Sequence, residues 1–367
     1  MTVIVVKIGT STLVDADGRF REEVLEARVR DLVRIRRQGN EPVLVSSAAI
    51  ACGLARLGIA ERPTALPDLQ AASAVGQGVL FERYLRAFAE HGIVPAQVLL
   101  TSGDLERRAS YLNARNTLLR LLEFGAIPVV NENDTTATDD ITFGDNDVLA
   151  AQVAVLLRAS ILLLLTDRDG LYRPGDAGPE LIGDVPPGTA PEDVELAPLE
   201  GSAQGRGGIS SKIASASMAT AAGITCVIAN GATDGVVTQV AHGHHVGTRF
   251  PPAQRPRSAF KLWLRYAKPS MGRIEVDAGA ANALRSRGTS LLAVGITGSG
   301  GGFAAGDAVD IADPSGHVFG KGIAGLSADE VRQVAGLSTG DARARVPGAP
   351  DEVVHRDQFV LLEADFV

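Results

Sequence analysis

Over its first 230 residues the chain alternates short apolar runs with longer segments whose apolar residues recur every three or four positions. The runs at 3–8, 42–47, 93–100, 126–133, 160–166 and 224–230 have the length and composition of buried strands. The segments between them, at 21–38, 68–90, 111–124, 147–158 and 209–222, show helical spacing. In 21–38, for example, Val24, Leu25, Val29, Leu32, Val33 and Ile35 share one face, and Gly39-Asn40 is a stop signal. Strands alternating with helices predict an α/β protein built on a doubly wound, mainly parallel sheet.

In such a sheet, ligands gather at the carboxyl ends of the strands. Four of those ends are polar or glycine-rich: Lys7 to Ser11, Ser46 to Ala49, Asn131 to Asp134, and Thr166-Asp167. They all face one crevice, and together they weigh more than any single motif.

A further glycine-rich stretch, GRGGISSK at 205–212, precedes the last helix. It departs from the Walker pattern, because Ser211 replaces the final glycine and Ile213 follows Lys212 where a hydroxyl residue belongs. The spacing still predicts an anion-binding loop, with backbone N–H groups gathered before a helix N-terminus over 209–222. Lysine occurs only at 7, 212, 261, 268 and 321, so the basic charge is otherwise arginine. Two of those five lysines stand beside glycines in the segments above, where a compact ammonium suits a phosphate.

The net charge of −8 argues against bulk nucleic-acid or anionic-membrane binding. The two cysteines, Cys52 and Cys226, form no metal or disulfide pattern, which fits a reducing cytoplasm. The N-terminus lacks a basic region before its apolar run, so it does not read as a signal peptide. The apolar stretch near residue 160 is interrupted by Arg158 and is too short to span a bilayer. Residues 249–271 are rich in Pro and Arg around a predicted short strand, Lys261 to Tyr266. Beyond them, short strands at 273–276, 291–294 and 308–311, with a helix at 279–287, predict a smaller, mostly β domain.

The motifs VVKIGTS, VSSAAIACG, VVNENDTTAT, FGDNDVLAAQVA, LLLLTDRDGLY and GRGGISSK occur in that order. Together they resemble the amino acid kinase family, most closely its glutamate-phosphorylating members. The segment from MGRIEVDAGA through VFGKGIAGLSADEVRQVAG resembles a PUA domain. The resemblance implies a kinase domain over 1–255, a linker over 256–271, a PUA domain over 272–350 and a C-terminal tail, 351–367, packed on it. It implies ATP-dependent phosphorylation of the L-glutamate γ-carboxylate to glutamyl 5-phosphate, the first step of proline biosynthesis. ATP with Mg²⁺, proline as feedback inhibitor, a homo-oligomer (dimer or tetramer) and a cytoplasmic location are implied with it.

The same resemblance assigns Lys7 to the transferring group, Lys212 to the ATP phosphates, and Asp147 to orienting both lysines. Ser47, Asp134 and Asn146 fall where the family holds glutamate: an acid for its ammonium and neutral donors for its carboxylates. Gly9, Thr166, Asp167, Arg206, Gly207, Gly208, Ile209, Ser210 and Ser211 fall with Lys212 at the nucleotide, and no residue is expected to ligate a metal directly. Two departures stand out. Ala48 replaces a family glycine, and Ile209 and Ser211 replace the usual Met and Thr of the nucleotide stretch. The alternatives are another small-acid kinase of this fold, of the acetylglutamate type, or an RNA-binding protein acting through its PUA domain. Residues 272–350 hold seven Lys/Arg and eight Asp/Glu, so that domain lacks the positive surface RNA affinity wants.

Overall fold

The computed structural model describes residues 2–15, 17–136, 145–186, 194, 196–197, 203–254, 259–266 and 268–362. The end of the VVNENDTTAT motif, the start of FGDNDVLAAQVA, part of the expected linker and the last five residues of the tail lie outside them. The chain divides into two compact units, Met1–Pro256 and Arg257–Val367.

In the first unit the strands are β1 (Thr2–Ile8), β2 (Asn40–Ser46), β3 (Pro95–Leu100), β4 (Ile127–Glu132), β5 (Ile161–Thr166), a small hairpin of β6 (Tyr172–Arg173) and β7 (Glu180–Leu181), then β8 (Thr225–Asn230) and β9 (Thr248–Phe250). All but the hairpin form one sheet in the order β3-β4-β2-β1-β5-β8-β9. Its strands run parallel except β9, which lies antiparallel to β8. The six strands expected from the apolar runs are all present. The short β9 was not legible, because three residues carry no periodicity.

The helices are α1 (Thr10–Leu13), α2 (Glu22–Arg37), α3 (Ala49–Leu57), α4 (Leu66–Ala89), α5 (Ser102–Glu106), α6 (Arg108–Glu123), α7 (Asp145–Leu157), α8 (Ala203–Ala221) and α9 (Val236–Ala241). Ile4, Val6, Ile8, Leu25, Leu32, Leu44, Phe88 and Leu165 belong to one buried apolar cluster under α2 and α4. Each such side chain contributes roughly 1.5–3 kcal/mol by leaving water. Helix α2 also has acids in its first turn and Arg34, Arg36 and Arg37 in its last, matching the helix dipole at both ends. Its Arg28 is buried and donates to the carbonyls of Gly231 (2.9 Å) and Thr233 (2.7 Å), tying α2 to the turn after β8.

Helices α3 and α4 cross with almost no space between their backbones. A Cβ on Gly76 would lie 1.7 Å from the Ala49 carbonyl oxygen, and one on Gly53 would lie 1.8 Å from that of Ala72. Only glycine permits this approach. Cys52 and Cys226 are free and buried, and burial pushes both thiols up, away from the reactive thiolate.

The second unit comprises α10 (Ala259–Tyr266), β10 (Ser270–Val276), α11 (Ala278–Arg287), β11 (Leu291–Leu292), β12 (Ile296–Gly301), β13 (Ala308–Ala312), β14 (Val318–Ile323), α12 (Ala328–Val334), α13 (Thr339–Arg345), β15 (Glu352–Val354) and β16 (Phe359–Leu361). A five-stranded sheet runs β12-β10-β13-β14-β16, and β11 pairs with β15. Residues 261–266, expected as a strand, are helical. The run KLWLRY is short, with three apolar residues in a row, and short apolar runs do not distinguish the two states. Packing decides: Leu264 joins Ala308, Ile323 and Val360 in an apolar cluster, and Arg265 donates to the Leu361 and Leu362 carbonyls. No helix among the described residues is long and apolar enough to cross a membrane.

Candidate active site

Lys7 lies near the end of β1, a central strand paired with β2 and β5, opposite Val45 and Leu164. Only 4% of it is exposed. A Cβ on Gly9 would come within 3.3 Å of its Nζ, so glycine keeps one flank of the ammonium clear.

Asp147 stands in the first turn of α7 and is fully buried. Its Oδ1 lies 2.7 Å from Lys7 Nζ, and its Oδ2 lies 3.0 Å from Lys212 Nζ. Two ammonium groups, 205 positions apart in the chain, therefore share one carboxylate. Burial pulls the Lys7 ammonium below its ordinary value, with Asp147 opposing the drop and the Lys212 charge adding to it. Burial alone would lift the Asp147 carboxyl, but the two lysines hold it below the ordinary carboxylate range. The cluster carries one net positive charge in a dry setting, where electrostatics act strongly on an anion.

Lys212 lies on α8, and here the structure corrects an expectation. The octet 205–212 is not a loop ahead of a helix; it forms the early turns of α8 itself, which begins at Ala203. Each glycine in a helix costs about 1 kcal/mol against alanine. Burial of Ile213, Ala216, Met218 and Ala219 and the Lys212–Asp147 contact offset that cost. Ile209 and Ser211 are half-buried and Ser210 exposed, while Gly208 has open space around it. Lys212 Nζ also reaches the Gly208 carbonyl at 3.5 Å. Arg206 and Gly207 fall in these turns, and the Arg206 side chain lies outside the described residues.

Ser47 follows β2 directly, and its N–H donates to the Ile8 carbonyl at 3.1 Å, bridging the ends of β1 and β2. Ala48 then adopts a left-handed conformation, φ 80°, before α3 begins. A position that favours glycine is thus occupied by alanine at a cost of roughly 1–2 kcal/mol. Its methyl belongs to the apolar cluster of the core. Asn146 Nδ2 donates to Ser47 Oγ and to Asn131 Oδ1, both at 3.2 Å. Asp134 follows β4 and accepts a short hydrogen bond from Ser73 of α4. Burial pushes its carboxyl up, while Ser73 and the charge of Arg62 pull it down. At the end of β5, Thr166 Oγ1 donates to Asp167 Oδ1 at 3.0 Å, and Ser11 Oγ donates to the same oxygen at 3.4 Å.

The structure thus joins Lys7, Asp147 and Lys212 in one cluster, and Ser47 with Asn146 in another beside it. Asp134 is tied to α4, and Asp167, which accepts from Thr166, is tied to Ser11 of α1. Sequence reasoning missed the supporting residues Ser73, Gln77 and Asn131. Asn131 sat in a quoted motif, but Ser73 and Gln77 lie inside a helix with no local signal.

A parallel sheet whose crevice holds paired ammonium groups on a buried carboxylate is built to receive a strongly anionic ligand. The amino acid kinase family profile matches residues 2–230, and the PUA domain profile matches residues 272–344. Glutamate 5-kinase from Myxococcus xanthus (strain DK1622) is 46% identical over 364 residues, covering 98% of this chain and 96% of the relative. Those from Thermoanaerobacter sp. (strain X514) and Synechococcus sp. (strain JA-2-3B'a(2-13)) are 40% and 44% identical, each covering 98% of both chains. The chain belongs to the amino acid kinase family, grouped with these glutamate 5-kinases.

Proposed function

We infer that this chain is an ATP-dependent kinase that phosphorylates the γ-carboxylate of L-glutamate, giving glutamyl 5-phosphate for proline biosynthesis. One observation carries the chemistry: Lys7 and Lys212 meet on the two oxygens of Asp147. The acceptor carboxylate, with a pKa of about 4.3, is ionised at neutral pH and needs no general base. One of its oxygens bonds to the γ-phosphorus as the bond to the bridging oxygen breaks, and ADP departs with that electron pair. Catalysis then rests on positioning and on cations that neutralise the moving phosphoryl group.

Lys7, at the strand end, is assigned to the transferring group, and Lys212 to the ATP phosphates. Asp147 pairs with both ammonium groups and aims them at one place. Asp134 is assigned to the substrate ammonium, with Ser47 and Asn146 beside it. Gly9, Thr166, Asp167 and the α8 turns from Arg206 to Ser211 are assigned to the nucleotide. Both oxygens of Asp147 lie against ammonium groups, so its assigned part is to pair with the lysines rather than to hold a metal. Mg²⁺ would arrive held by phosphates and water and supply charge neutralisation.

We further read residues 1–255 as the kinase domain and 272–350 as a structural or regulatory PUA domain carrying the tail. Proline as an inhibitor at or beside the glutamate site, a homo-oligomer and a cytoplasmic location complete the proposal. The test is ATP consumption against glutamate, acetylglutamate, aspartate and carbamate, with hydroxamate trapping of the acyl phosphate. Glutamate-dependent turnover is expected; preference for acetylglutamate would overturn the substrate assignment.

A further inference from the structure

The backbone of Glu132 fixes the orientation of two side-chain amides. Its carbonyl can only accept, so Gln77 must present Nε2 to it, at 3.0 Å. Gln77 Oε1 therefore faces Asn131 Nδ2, at 3.2 Å. The Glu132 N–H can only donate, and it donates to Asn131 Oδ1 at 2.9 Å. Both ends of the chain agree, so neither amide can be turned over without breaking a backbone hydrogen bond.

The consequence falls on Asn146. Asn131 Oδ1 also accepts from Asn146 Nδ2, which donates as well to Ser47 Oγ, each at 3.2 Å. Both protons of the Asn146 amide are committed. Its Oδ1 is buried and has no hydrogen-bond partner among the described residues. A buried acceptor without a donor is costly, so a ligand that supplies one is favoured. Glutamate at neutral pH has two ionised carboxylates, which only accept; its α-ammonium is its one donor. Ser47 accepts from Asn146 and keeps its own proton for a carboxylate.

We propose that Gln77 is a positioning residue that, through Asn131, turns the Asn146 carbonyl oxygen toward the substrate to accept a hydrogen bond from its α-ammonium. Asn146 then works alongside Asp134 rather than as a donor to a carboxylate. Helix α4 supports both, since Ser73 holds Asp134 and Gln77 lies one turn further along. The proposal rests on glutamate being the substrate.

The experiment compares glutamate with glutarate, which has the same two carboxylates and no ammonium. In Gln77→Met the KM for glutamate should rise about tenfold, with kcat and the KM for ATP little changed. The inhibition constant of glutarate as a competitor should stay as in the unaltered enzyme. An equal loss for glutarate, or an unchanged glutamate KM, would overturn the proposal. Should Gln77→Met fail to fold, Gln77→Leu also removes the acceptor for Asn131 Nδ2 and must show the same split, whereas Gln77→Glu keeps that acceptor and should leave the glutamate KM nearer that of the unaltered enzyme. If the unaltered protein does not phosphorylate glutamate, the substrate reading fails first; if it does and Gln77→Met or Gln77→Leu behaves like it, only the relay fails.

Discussion

Two glycine-bearing stretches flank the candidate site and do opposite things. At the α3–α4 crossing, Gly53 and Gly76 are where two backbones touch, and a side chain at either would strike a carbonyl. In the first turns of α8, Gly208 has nothing within 4 Å of where a Cβ would stand. The first pair holds Ala49 and the start of α3 against α4, and so fixes the turn that carries Ser47. The second leaves backbone bare beside Lys212. Glycine in one stretch is a packing requirement, and in the other it leaves room for a ligand.

That contrast is most exposed at Gly76. Gly76→Ala should cost more than about 3 kcal/mol, because a backbone atom and not a flexible side chain stands in the way. Denaturant unfolding that showed a loss below about 1 kcal/mol would mean the crossing is looser than described. Asp147→Asn comes next. Removing the charge that pairs Lys7 should cost about 3–5 kcal/mol near neutral pH, with turnover largely lost. The sign with pH is specific. In the unaltered protein the lowered Asp147 pKa contributes stability present above about pH 4, lost as pH falls through the lowered value. In the variant, Lys7 is buried without its carboxylate and binds fewer protons folded than unfolded, so stability should climb as pH rises toward about 10. A flat profile would show that Lys7 has found another anion.

Smaller effects sharpen the comparison. Ala48→Gly relieves a left-handed alanine and should stabilise by up to roughly 1 kcal/mol, net of glycine's greater freedom when unfolded. A loss in thermal unfolding would show that the methyl's packing outweighs its strain. Gly208→Ala should change stability least, by a gain of at most about 1 kcal/mol from helix propensity. A clear loss in the same measurement would mean that these turns are not helical in solution.

Much of the first unit was legible from residues alone. Six apolar runs became the six parallel strands, and the polar strand ends did gather at one edge. Lys7 and Lys212 stood out as two of only five lysines, each inside one of the glycine-bearing motifs. Other features were not legible. KLWLRY reads as a short strand yet forms a helix, because the partners of Leu264, Ala308, Ile323 and Val360, lie 40 or more residues away. GRGGISSK reads as a loop yet continues a helix, because the buried face that follows outweighs the local cost of glycine.

The sequence by itself determined the order of strands and helices and the residue types at each strand end. Apolar periodicity and turn chemistry are local, and a few neighbours suffice to express them. Only the tertiary structure decided that one carboxylate serves two lysines, and that a glutamine on α4 meets an asparagine on β4 that in turn meets one on α7. Those are contacts between segments tens to hundreds of positions apart, set by how the sheet and helices pack and not by any stretch of chain read alone.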